Sequence, residues 1–149
     1  MNRWRNYFFS LCNTNALMSK DPSTKVGAVI VRPNNTVVSM GWNGFPRGVE
    51  DSAVRLQNRD LKYPLTVHAE ANAILSANEP VRGCTLYVTP PYPCATCAGL
   101  IIQSGIVKVV AKTPAEDPAR WATNFGLSRQ MFTEAGVAFD IITMEDGDW

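Results

Sequence analysis

The chain has 149 residues, 46% of them apolar and 18% charged, which fits one globular domain over 1–149 and excludes a disordered or fibrous protein. Its 14 Lys and Arg are scattered among 13 Asp and Glu, so no basic stripe of the kind that grips a polynucleotide is visible. No apolar stretch reaches the roughly 18 residues that span a bilayer, and Met1 to Asn6 lacks the apolar region of a signal peptide, so a cytoplasmic setting is expected.

Taken in chain order, Trp4, Tyr7, Phe8, Leu11, Leu17 and Met18 recur at three- and four-residue spacings and predict an amphipathic helix over 2–18, ended before Asp21-Pro22. Val26 to Val31 reads as a buried strand, Pro33-Asn34-Asn35 as a turn, and Thr36 to Met40 as the returning strand of a hairpin. Periodicity then fails from Gly41 to Pro64, except for a short helix over Ser52 to Asp60; so long a connection is usually functional. His68 to Ala77 reads as a helix, Thr85 to Val88 as a strand, and Cys94 to Gln103 as a helix ended by Gly105. Val107 to Ala111 is a strand, Arg129 to Ala135 belongs to a last helix, and Val137 to Ile142 is the final strand, ahead of an acidic tail. From His68 onward helices alternate with strands. The expected fold is therefore α/β: a three-layer α/β/α arrangement on a mixed five-stranded sheet, antiparallel at its first hairpin and parallel after it.

The single histidine, His68, stands in His68-Ala69-Glu70, and Pro93-Cys94-Ala95-Thr96-Cys97 follows later. Either motif alone is weak, because C-x-x-C also serves redox pairs and structural zinc, and a lone histidine is more often packed than ligating. Together they form H-x-E … P-C-x-x-C, the pattern of zinc nucleobase deaminases. Cys94 and Cys97 fall on one face of a helix start, where partial positive charge favours thiolate. A catalytic zinc takes three protein ligands and keeps one position open. His68, Cys94 and Cys97 are that ligand set. Two thiolates and a neutral imidazole leave the ion electrically neutral, so a carboxylate base is needed, and Glu70 is the candidate. Cys12 and Cys84 lack suitable spacing and read as buried small side chains.

At this point the residues carry a resemblance. Asp21 to Val31, Gly41-Trp42-Asn43-Gly44-Phe45-Pro46-Arg47-Gly48, Lys62-Tyr63-Pro64, His68 to Ile74, Gly83 to Thr89 and Pro93 to Cys97 with Leu100 to Ile106 are similar to deoxycytidylate deaminases of the cytidine deaminase superfamily. The resemblance implies that fold, hydrolysis of dCMP to dUMP for dTTP supply, and catalytic Zn2+. It implies a base pocket walled by Val26, Gly27 and Ala28, a sugar contact from Asn43, and a pyrimidine carbonyl held by the Ala69 amide. It also implies a homo-oligomer, commonly a hexamer. Such enzymes respond to dCTP and dTTP, with Mg2+, at the loop matching Asn43, Gly44, Phe45, Pro46, Arg47 and Gly48.

Read from the residues alone, Gly44 and Gly48 allow close backbone approach and Arg47 suits a phosphate, although a plain surface turn has the same composition. The chain departs from the family after the fourth strand. There Lys112-Thr113-Pro114 leads into an acidic, Pro-rich loop and then Arg120-Trp121. Arg120 and Trp121 are candidates to bind the substrate phosphate and close over it; the alternative is a solvated arginine and a packed tryptophan. The phosphate state thus stays open, with monophosphate favoured and a bifunctional dCMP/dCTP deaminase as the alternative. A polynucleotide deaminase is disfavoured by the near-neutral charge, and a non-catalytic nucleotide-sensing zinc module by the intact Glu70.

Overall fold

The structure, a computed structural model, describes residues 2–90, 93–114 and 124–144. Among the described residues the chain forms α1 (Arg3–Ala16), β1 (Gly27–Val31), β2 (Val37–Trp42), α2 (Ala53–Gln57), α3 (Arg59–Leu65), α4 (Ala69–Ser76), β3 (Thr85–Thr89), α5 (Ala95–Ser104), β4 (Lys108–Pro114), α6 (Asn124–Ala135) and β5 (Ala138–Met144). The sheet order is β2-β1-β3-β4-β5. β1 is antiparallel to both β2 and β3, whereas β3, β4 and β5 run parallel. The expected mixed five-stranded α/β sheet is present.

Alternation along β1 divides the core between two faces. Val29 and Val31 pack with Phe8 and Cys12 of α1 and with Tyr87 on one face. Ala28 and Ile30 face the other way, into a cluster with Ala69 and Ala73 of α4, Ala98 and Ile101 of α5, and Phe132 of α6. The period-2 geometry of a strand covered on both sides requires this split. Ala28, Ala69, Ala73 and Ala98 are all fully buried in that second cluster, alongside the larger Ile30, Leu86, Ile101 and Phe132.

Two glycines set how closely helices approach the sheet. A β-carbon on Gly27 would lie 1.8 Å from the Cys12 carbonyl oxygen, so α1 seats directly on β1. A β-carbon on Gly41 would lie 2.5 Å from both the Ala69 oxygen and the Ala73 nitrogen, so α4 seats directly on β2.

The structure corrects the sequence reading in the middle of the chain. A single short helix over 52–60 is expected, but two form, broken at Asn58. Asn58 is extended, ends α2, and accepts from the Asp60 amide at 3.1 Å to cap α3. Pro64 lies inside α3, in its last turn. Several strands also run further than expected: β2 to Trp42, β4 to Pro114 and β5 to Met144. α6 begins at Asn124, ahead of the expected Arg129.

Candidate active site

Both halves of the metal motif lie at helix starts, as N-caps. His68 precedes α4 and Cys94 precedes α5, and neither cap makes a side-chain hydrogen bond to its helix. Their meeting follows from strand direction. β2 and β3 are each antiparallel to β1, so they run the same way. Gly27, at the start of β1, pairs with Trp42 at the end of β2 and with Thr89 at the end of β3. β3 leads into α5, and β2 reaches α4 through α2 and α3, so both helices begin at one end of the sheet. That is where open α/β sheets place their sites.

The His68 Nδ1 atom lies 3.4 Å from Cys94 Sγ and 3.4 Å from Cys97 Sγ. The three ligand atoms all fall within 4.8 Å of one another. Zinc–nitrogen bonds of about 2.0–2.1 Å and zinc–sulfur bonds of about 2.3 Å, at tetrahedral angles, put N and S about 3.6 Å apart. The donor set and its spacing therefore fit a zinc ion bound through Nδ1. Among the described residues this is the one His, Cys, Asp or Glu cluster with metal-holding geometry. Cys12 and Cys84 are buried elsewhere, and the Cys12 thiol donates to the Tyr87 carbonyl at 3.4 Å.

Glu70, in the first turn of α4, is buried beside the Cys97 thiol. Burial pushes its carboxyl above the ordinary range, against the pull of its own backbone amide and of His68. The Cys94 thiol is drawn down to about 4, chiefly by its hydrogen bond from Cys97 and against burial, with His68 helping. Cys97 moves up, because it shares a proton with Cys94 and is buried. The His68 contact with Cys94 raises the imidazole against its own desolvation. A metal ion would displace the shared proton and take both sulfurs as thiolates.

The other expected site residues separate into groups. Val26 and Ala28 belong to the core cluster that also holds Ala69, on the α4 and α5 face. A Gly27 side chain would point the opposite way, into α1, so only backbone is available there. Asn43 is buried and its carboxamide is engaged: Oδ1 accepts from the Val26 amide at 2.8 Å, and Nδ2 donates to the Thr24 carbonyl at 2.9 Å. One amide hydrogen and one lone pair of Asn43 remain. Gly44 forms a two-way backbone bridge with Val67, next to His68. Gly44, Phe45, Pro46 and Arg47 border a cavity of about 630 Å³, together with Trp42 and Leu75. None of the metal ligands, nor Glu70, lines that cavity. Arg120 and Trp121 lie outside the described residues.

Two supporting residues escape sequence reasoning. Asn124, at the start of α6, accepts from the Ala95 amide at 2.7 Å and so satisfies the α5 start that carries Cys94 and Cys97. Asn72 donates to the Trp42 carbonyl at 2.8 Å, tying α4 to the end of β2. Only Asn72 had a local signal, since it follows the His68-Ala69-Glu70 motif on the same helix.

Comparison with known proteins agrees with this geometry. A family model described as the cytidine and deoxycytidylate deaminase zinc-binding region matches residues 2–113. An uncharacterized deaminase from the luxG 3' region of Aliivibrio fischeri is 46% identical, with 92% of each chain covered. The deoxycytidylate deaminase of Homo sapiens is 40% identical over 91% of this chain and 78% of its own. A dCMP deaminase from the cyanophage S-TIM5, solved with dCMP and dUMP, superposes with a TM-score of 0.74 at 24% identity, covering 95% and 99% of the two chains, which bears on the fold. Matched by that family model over 2–113 and 40–46% identical to these relatives over about nine-tenths of its length, the chain belongs to the zinc-binding family of cytidine and deoxycytidylate deaminases.

Proposed function

We propose that this chain hydrolyses dCMP to dUMP, consuming one water and releasing ammonia. The reading is carried by the convergence of His68, Cys94 and Cys97 into one three-ligand set with buried Glu70 beside it. The 40% identity to human deoxycytidylate deaminase supports the choice of nucleotide. Zinc, when bound, supplies Lewis acidity and makes water easier to deprotonate. Glu70 takes the proton of that water, passes it to the ring nitrogen, and later delivers one to the leaving amine. A carboxyl whose proton affinity is raised by burial suits a group that must both accept and return a proton. Val26 and Ala28 wall the base, the Ala69 amide holds the pyrimidine carbonyl, and Asn43 offers its remaining amide hydrogen to the sugar. Arg120 and Trp121 are assigned to the substrate phosphate.

The cavity beside Gly44, Phe45, Pro46 and Arg47 is assigned to a regulatory nucleotide, dCTP or dTTP with Mg2+, in a hexamer serving dTTP supply in the cytoplasm. No helix among the described residues is long and apolar enough to cross a membrane. The deciding experiment is an ammonia-release panel on zinc-loaded protein with dCMP, dCTP, deoxycytidine and cytidine, with and without dCTP and dTTP as effectors. Fastest turnover of dCMP is expected. Ammonia from none of the four would sink the reading, and faster turnover of dCTP would move the substrate to the triphosphate.

A further inference from the structure

Lys62 lies on α3, six residues ahead of His68, yet it is only 4% exposed. Its Nζ donates to Asp21 Oδ1 at 3.1 Å, and Asp21 is itself largely covered. The same Asp21 oxygen accepts from the amides of Ser23 at 2.8 Å and Thr24 at 3.1 Å, which closes the turn ahead of β1. The Thr24 carbonyl then accepts from Asn43, whose Oδ1 accepts from Val26. On the other side, the Lys62 carbonyl accepts from the Thr66 hydroxyl at 2.6 Å, in the segment that runs on to His68. Three stretches remote in sequence are thus joined: the turn before β1, the end of β2, and the approach to the metal ligand. A buried ion pair is a poor source of net stability, because desolvation offsets most of its attraction, but removing one partner leaves an uncompensated buried charge.

We propose that Lys62 and Asp21 are positioning residues whose ion pair fixes the turn before β1 and, through Asn43, sets the wall against which the nucleotide binds. This rests on the reading that Val26, Ala28 and Asn43 line the nucleotide pocket. Neither residue belongs to the cluster of His68, Cys94 and Cys97 with Glu70, so the loss on breaking the pair falls on binding.

The test is dCMP saturation kinetics on the zinc-loaded enzyme, with zinc content measured per chain. Lys62→Met is expected to raise KM about tenfold or more, with kcat within about threefold and zinc retained, while Lys62→Arg recovers most of the loss. Asn43→Ala is the control for the pocket itself and must also raise KM. An unchanged KM in Lys62→Met beside a raised KM in Asn43→Ala overturns the positioning role alone. An unchanged KM in Asn43→Ala overturns the pocket reading and the inference with it. A KM in Lys62→Arg as high as in Lys62→Met also overturns the role assigned to the charge. Should Lys62→Met not fold, the doubly neutral Asp21→Asn/Lys62→Met protein carries the measurement, and a wild-type KM there overturns the proposal.

Discussion

Gly41 of β2 lies directly beneath Ala69 of α4, with 2.5 Å between the carbonyl oxygen of Ala69 and the place a β-carbon on Gly41 would take. Ala69 stands between His68 and Glu70, so the absence of a side chain at Gly41 sets the height of both functional groups above the sheet. Gly41→Ala should cost about 1–3 kcal/mol, as overpacking does elsewhere, and lower both thermal stability and turnover. Gly44→Ala, with nothing near its added carbon, should stay within about 0.5 kcal/mol. Thermal unfolding of the two variants checks the contrast, and equal Tm values would refute it.

Replacing Glu70 by Gln keeps the shape of the buried group and removes its basicity. The variant should retain zinc and lose turnover by about 10²–10⁴-fold or more. Metal analysis and ammonia release are measured on the same sample. Near-normal turnover with zinc in place would take Glu70 out of the proton path.

Cys97 is buried in the first turn of α5, and His68 with Cys94 cannot hold zinc well without it. Zinc binds the folded state, so its addition should raise the Tm of the stripped wild-type chain and restore turnover. Neither response is expected from Cys97→Ala. A full zinc-dependent Tm rise in that variant would show that Cys97 is not a ligand.

Asp21 gives a prediction in pH. Burial opposes its ionisation, but the Thr24 and Ser23 amides and the Lys62 ammonium outweigh that and hold its carboxyl below the ordinary value. A folded-state pKa below the unfolded one adds stability that is complete above the unfolded value of about 3.9. That stability is lost as pH falls through the lower folded value. Wild type should therefore lose stability more steeply than Asp21→Asn as pH falls from about 5 toward 3. Denaturant titrations across that range measure it, and parallel curves would exclude Asp21 as the source.

The cluster of His68, Cys94 and Cys97 is legible because its signal is local: His68 with Glu70, and Cys94 with Cys97, each fall within one helix start. β1 and β4 are legible because burial on two faces leaves short β-branched runs. α3 is not, since Pro64 lies within it and most of its residues are exposed. The Lys62–Asp21 pair joins positions 41 residues apart, and no spacing rule reaches that far. Asn43 reads as a loop residue facing a ligand, while half of its carboxamide's hydrogen-bonding capacity is spent on the backbone of Thr24 and Val26. A Cβ at Gly27 would face α1, because the alternation of β1 puts it on the same side as Val29 and Val31.

The small side chains where α4 and α5 meet β1 limit how this fold can be altered. Ala28, Ala69, Ala73 and Ala98 leave almost nothing to trim. Truncation at these four positions can remove only methyl groups. Added bulk, by contrast, would lift the helices and drag His68 away from the cysteines. If Val26 and Ala28 wall the base as proposed, mutational libraries aimed at new substrates belong in the loops around the site rather than at these four alanines.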